Sequence, residues 1–208
     1  MTAQPWIPSV NGLPIDLVTP CAAQVDFAEI AWALSQIHRY AGNARSPVSV
    51  GLHTLIGLDL CPLSLRPLWL LHDAHEARLG DWTTPAVDAL GAVATEMFGE
   101  AFAAQMASVR RALAERHDAV IHRAAGLPLP GIALREAIHT VDLRALATER
   151  RDFLRAMPAA VRRPWAIDAL GIGPGPKVWR PLPATEVEMR LMACFNTHLP
   201  ALMPGRAA

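Results

Sequence analysis

The stretch Leu68-Trp-Leu-Leu-His-Asp-Ala-His-Glu-Ala-Arg-Leu-Gly-Asp81 limits the fold more than any other. It begins apolar, as a buried helix does, and then sets His72, Asp73 and Glu76 close together. On an α-helix each residue advances about 100°. With His72 at zero, Asp73 falls near 100° and Glu76 near 40°, so about one face carries all three, with His75 at its edge near −60°. An imidazole and two carboxylates are costly to bury without compensation. A divalent cation is the usual compensation, provided that the rest of the chain supplies further ligands.

The chain is long enough for a sizeable core. It has 208 residues, 52% of them hydrophobic and 18% charged, which reads as one ordered domain. Formal net charge is zero. With no run of basic residues, a polymeric nucleic acid is not an expected partner, although a small nucleotide needs only one or two Arg. The first residues show neither a leader pattern nor a membrane-spanning run, so the expectation is a soluble, cytoplasmic protein with no membrane partner. Cys21, Cys61 and Cys194 are scattered and read as free thiols.

Helical punctuation organises most of the chain. After an irregular arm over residues 1–24, with a short strand candidate at Ile15-Asp-Leu-Val, Asp26 reads as the N-cap of a helix ended by Gly42-Asn43. Ser46 and Pro47 predict a second helix from Val48 to about Leu60, carrying His53. Ser64 predicts a third from Leu65 to Leu79, and Thr84-Pro85 starts another. An Ala-rich pattern from about Val87 to Val120 reads as core or as a contact between copies of the chain. Ile132 to Leu154 is again helical and carries His139, Asp142 and a charged run. Residues 158–183 are too rich in Pro and Gly for a long helix, and Trp165 and Trp179 are expected to pin them to the helical body. Thr185 to Leu199 closes the chain as a helix. The expected fold is all-α, with residues 1–157 as the core and 158–208 as a Pro-rich segment and final helix packing on the same domain.

His53, His72-Asp73 and Asp142 thus sit in order on separate predicted helices. This order resembles the H…HD…D signature of the HD-domain metal-dependent phosphohydrolases. The words AEIAWALSQIHRYAG, SPVSVGLHTLIGL, LWLLHDAHEARLGDWTTP and VDLRALATERRDFL are similar to successive motifs of the branch that contains the bacterial, YfbR-like 5'-deoxynucleotidases. The phage dATP triphosphohydrolases are similar too. The resemblance covers roughly residues 13 to 155. It implies an HD-domain helical bundle in which His53, His72, Asp73 and Asp142 hold one divalent cation. Two nitrogens and two carboxylates suit Co²⁺, Mn²⁺, Fe²⁺ or Zn²⁺ better than Mg²⁺. It further implies Glu76 and Asp81 as the catalytic acid pair, Arg39 as a grip on phosphate, and Tyr40 as an aromatic against the sugar. One departure stands out: relatives commonly read Arg-aromatic-x-Gly-His where this chain has Asn43.

Each residue also has an ordinary structural reading. His53 could be a core histidine, Asp73 could pair with Arg78, and Asp142 with Arg144 or Arg135. Glu76 could be solvated surface, Asp81 a helix cap, and Arg39 a helix C-terminal cation. His139 is the rival ligand, expected to be structural, while His117, His122 and His198 are expected at the surface. Arg144, Glu149, Arg150, Arg151 and Asp152 read as a mostly solvated face, although Glu149 shares the face of Asp142 to within about 20°. The leading expectation is removal of the 5'-phosphate from a deoxynucleotide. The alternatives are triphosphate removal from a dNTP, and an HD module that binds nucleotide without catalysis.

Overall fold

A computed structural model describes residues 4–203; residues 1–3 and 204–208, at the ends of the arm and of the final segment, lie outside the described residues. The fold is organised around helix α2 (Val50–Leu60), in which Val50 to Leu58 are all buried. A helix apolar on every side belongs at the centre of a bundle. Helices α1 (Phe27–Gln36), α7 (Ile132–Phe153) and α9 (Ala184–His198) pack around it. Two glycines allow the close approach. A Cβ at Gly51 would stand 2.7 Å from Val187 Cγ1 of α9, and one at Gly57 would run into the Trp69 indole.

Among the described residues the molecule is mostly helical, with nine α-helical segments and one two-stranded antiparallel sheet. The sheet pairs β1 (Trp6–Pro8) with β2 (Pro14–Asp16), so the strand candidate around Ile15 is real but short. Among the described residues no helix is long and apolar enough to cross a membrane. All three cysteines are free.

Several boundaries differ from the sequence reading, each for a local reason. Asp26 does cap α1, accepting from the Ala28 and Glu29 amides. The helix stops at Gln36, however, because the chain turns to pair with the approach to α2: Arg39 N donates to Val48 O and Val50 N to Ile37 O. That pairing keeps Ser49 extended, in a bridge with His38. Ser49 instead of Ser46 is therefore the α2 cap, accepting from the Leu52 amide. Between the paired segments, Arg39–Gly42 forms a tight 3-10 turn.

The predicted helix over Leu65–Leu79 is broken into α3 (Arg66–Trp69) and α4 (Glu76–Leu79). The connection between them is wound by bonds to the third residue back, such as His72 N to Trp69 O and Glu76 N to Asp73 O. In that tighter winding residues three apart eclipse one another. Asp73 and Glu76 thus line up one above the other, a closer relation than an ordinary α-helix provides.

The Ala-rich stretch splits at Gly99, whose φ of 88° reverses the chain between α5 (Thr84–Phe98) and α6 (Glu100–Ala124). Most of the α5 stripe is not core. Ala94 is its buried residue, whereas Val93, Met97 and Phe98 are exposed. The Pro-rich segment contains a single 3-10 turn (Ala159–Val161) and the short α8 (Ala166–Ala169) and is tied to α7. Arg151 donates to the Gly175 and Lys177 carbonyls, Thr148 Oγ1 accepts from Gly175 N, and Asp152 accepts from Trp179 N. Trp179 is buried and Trp165 half-buried, as expected of residues that pin the segment down.

Candidate metal centre

Four elements deliver the polar side chains that the apolar body surrounds. His53 projects from the middle of α2 and is fully buried. His72 and Asp73 come from the tightly wound connection after α3, and Asp142 and Glu149 from α7. Arg39 and Tyr40 come from the turn after α1. His53 Nε2 lies 3.3 Å from His72 Nε2, 3.2 Å from Asp142 Oδ1 and 3.8 Å from Asp73 Oδ2. His72 Nε2 lies 3.0 Å from Asp73 Oδ2. One atom each of His53, His72 and Asp73 falls within 4.8 Å of the others, so this group could hold a metal ion. Asp142 reaches the group through His53 and is the more exposed side.

The partners of the two imidazoles fix which nitrogen carries the hydrogen. His72 Nδ1 sits 2.6 Å from the Trp69 carbonyl oxygen, which can only accept. His53 Nδ1 sits 2.6 Å from Glu149 Oε1, again an acceptor. With Nδ1–H donating on both rings, the two neutral imidazoles direct Nε2 lone pairs at each other and at the oxygens of Asp73 and Asp142. Such a convergence of electron-rich atoms is unfavourable unless a positive charge sits among them. These residues fit a divalent cation on that ground, and the Nδ1 partners are the kind that hold metal-binding imidazoles in register. The Trp69 indole adds a further constraint. It stacks on His72 at 3.8 Å between ring centroids, and its Nε1 donates to Thr54 O.

The same convergence favours a proton on His53. Burial and Arg39 act to lower the His53 pKa, but Glu149 and the hydrogen bond to Asp142 prevail and push it up to about 9. Burial alone would raise Asp73, Asp142 and Glu149. Their histidine and arginine neighbours outweigh it for Asp73 and Glu149, as His53 and His72 do for Asp142, and all three are held below the usual carboxylate range.

The second acidic pair behaves oppositely. Burial, then the charges of Asp73 and Asp81, push Glu76 up to about 9. Its Oε2 is buried with no hydrogen-bond partner among the described residues. Burial likewise raises Asp81. Asp81 is not the cap of α5, a position that Thr83 occupies.

Glu149 is the residue the sequence reading undervalued. It is fully buried, and besides His53 it accepts from Arg39 Nε at 3.1 Å and from the Tyr40 hydroxyl at 2.5 Å. Its spacing of two helical turns from Asp142 was the available signal; the charged neighbours concealed it. Arg39 is thereby anchored at one edge, while its Nη1 stands 3.9 Å from Asp73. Burial acts to lower the Arg39 pKa, but Glu149, Tyr40 and the two aspartates reverse that. The Tyr40 hydroxyl is committed to Glu149, and the ring tilts against Trp165 at 6.3 Å between centroids.

No family model matches this chain, and no curated protein does. The geometry of the chain itself therefore carries the functional argument. That geometry also decides several ordinary readings. Arg78 donates to Gln24 O instead of pairing with Asp73, and Arg135 donates to Pro130 O instead of meeting Asp142. Arg39 sits beyond the end of α1, in the Arg39–Gly42 turn, and its guanidinium is engaged by the Glu149 carboxylate. His139 is exposed. His117 and His122 are buried, contrary to expectation, with ring nitrogens on Leu17 O and Pro128 O.

Asn43 fills a structural role. Its side-chain amide donates to the Tyr40 and Ala41 carbonyls. Those two residues adopt left-handed backbone, with φ of 59° and 50°. Non-glycine residues pay for that conformation, commonly where a side chain must be held in one place. Here the bent turn aims Arg39 and Tyr40 together at Glu149.

Proposed function

We propose that the chain is a divalent-metal-dependent phosphohydrolase of the HD type that removes the 5'-phosphate from deoxynucleoside monophosphates. The observation that carries this reading is the facing pair of imidazole Nε2 atoms, 3.3 Å apart and bracketed by carboxylates. The chain order of His53, His72-Asp73 and Asp142 supports it, as does the resemblance of the surrounding words to HD-domain motifs.

His53, His72, Asp73 and Asp142 would hold the cation. When bound, it supplies Lewis-acid stabilisation of phosphate charge and a more acidic water. The remaining groups divide the other tasks. Arg39 is anchored by Glu149 through Nε, which leaves the Nη side to grip phosphate oxygens of the bound substrate. Glu76 has a buried Oε2 with no hydrogen-bond partner among the described residues and is assigned to giving a proton to the departing sugar oxygen. Asp81 stands near enough to raise Glu76 electrostatically and is assigned to orienting water. Arg39 is the arginine that acts on His53, Asp73 and Glu76 alike. A single guanidinium suits one phosphate better than three, which favours a monophosphate over a dNTP.

The test is product release from dNMPs, dNTPs and the matching ribonucleotides, with Mn²⁺, Co²⁺, Zn²⁺ or Mg²⁺ supplied in turn. Orthophosphate from dNMPs is the expected result. Tripolyphosphate from a dNTP would move the chain to the triphosphohydrolases, and a bound metal with no turnover would leave a nucleotide-binding module.

A further inference from the structure

A second feature shares Trp165, whose ring also meets Tyr40. A cavity of about 570 Å³ opens between the end of α7 and the Pro-rich segment, lined by Arg150, Arg151, Arg155, Arg162 and Arg163. That volume is in the range of roughly 300–1,000 Å³ usual for small-molecule sites.

The charges do not cancel. Asp168 is the lining carboxylate among the described residues and is occupied by Arg150 Nη2 at 2.7 Å. Arg151 is paired with Asp152 and committed to the Gly175 and Lys177 carbonyls. Arg155, Arg162 and Arg163 form no ion pair among the described residues, so about three positive charges remain on one concavity. Arg150 Nη1 is buried without a hydrogen-bond partner among the described residues. The guanidinium itself is held over the Trp165 ring, 5.6 Å from the centroid.

Like charges gathered on a restrained backbone are a cost unless something uses them. Pro158 and Pro164 bracket the 3-10 turn Ala159–Val161 and the two arginines that follow it. Each proline fixes φ, so Arg162 and Arg163 are presented with less conformational freedom to lose on binding. Guanidinium forks match phosphate oxygens in paired hydrogen bonds. Three uncompensated charges match a chain of phosphates better than a single one, and Leu154, Met157 and Ile172 supply an apolar wall.

We propose that this cavity is an anion site for a small ligand bearing two or more linked phosphates, separate from the His53–His72–Asp73 group. It does not depend on the phosphohydrolase reading.

The experiment is calorimetric titration of the full chain with inorganic tripolyphosphate in EDTA, which keeps the metal group out of the measurement. Saturable one-to-one binding is expected, with orthophosphate at least tenfold weaker. Arg162→Ala combined with Arg163→Ala should weaken tripolyphosphate by about tenfold or more while leaving thermal unfolding unchanged, since both side chains are exposed. His72→Ala and Asp142→Asn, made singly, should bind as the parent does. Absence of binding, equal affinity for orthophosphate, an unaffected double-arginine variant, or loss of binding in both metal-group variants would each overturn the site.

Discussion

His53 and Glu149 face each other at 2.6 Å, both fully enclosed, one from the central helix and the other from α7. Glu149 accepts from three donors at once: His53 on one oxygen, Arg39 and Tyr40 on the other. A glutamine at this position can accept on one side only and must present its amide hydrogens to a donor on the other. Glu149→Gln should therefore weaken divalent-metal affinity by about 10–100-fold. It should also destabilise the fold by about 3–5 kcal/mol, as expected for breaking a buried pair. Metal titration and denaturant unfolding of the same variant check both. Parent-like values in each would show that Glu149 neither orients His53 nor neutralises Arg39.

The metal group and the acid pair should separate by mutation. His72→Ala or Asp73→Ala should abolish metal binding and turnover together, read by metal content after dialysis and by phosphate release. Glu76→Gln should retain the metal and lose about 10²–10⁴-fold in rate, the range of a positioned proton donor. Full rate in Glu76→Gln would remove that residue from the mechanism. Arg39→Ala should act mainly on KM, and an unchanged KM would end its assignment to phosphate.

Helical punctuation and the His and Asp residues made much of this legible from the sequence. Asp26, Pro85, the start of α7 at Ile132 and the closing helix fell close to where local rules put them. The break after Trp69 did not, because it is set by tertiary demands: the indole must enter the space over Gly57, and His72 must point its Nδ1 back to the Trp69 carbonyl. No local rule announces either. Glu149 was hidden for a related reason, since a buried acid and a solvated one look alike in a run of charges. His117 and His122 were misplaced because their partners are carbonyls at residues 17 and 128, invisible to pattern.

Gly57→Ala tests the core directly. The new methyl would meet the Trp69 indole, a rigid group packed on both Gly57 and His72. A loss of about 1–3 kcal/mol is expected for such overpacking, read as a lower urea midpoint. It should be accompanied by weaker metal binding, because the indole cannot yield without moving His72. A stable variant with intact metal affinity would show the indole to be free to shift.

Acid sensitivity should come in part from His117 and His122. Burial holds both below the ordinary histidine value of about 6.5, against the opposing pull of their carbonyl partners. A depressed folded value means that the unfolded chain takes up protons first as pH falls. Stability from these groups is thus complete above about pH 6.5 and is lost progressively below it. His117→Gln, which can still donate to Leu17 O, should flatten the decline in urea midpoint between pH 7.5 and 5.5. An unchanged slope would assign the acid limb elsewhere.

Because His53 is part of the helix that the rest of the bundle wraps, occupancy of the site and persistence of the fold are linked by mass action. A cation that binds only the folded chain adds about 2.7 kcal/mol when supplied at a hundred times its dissociation constant. A chelator would then act on this protein as a mild denaturant, and the melting temperature would report how much metal surrounds the chain.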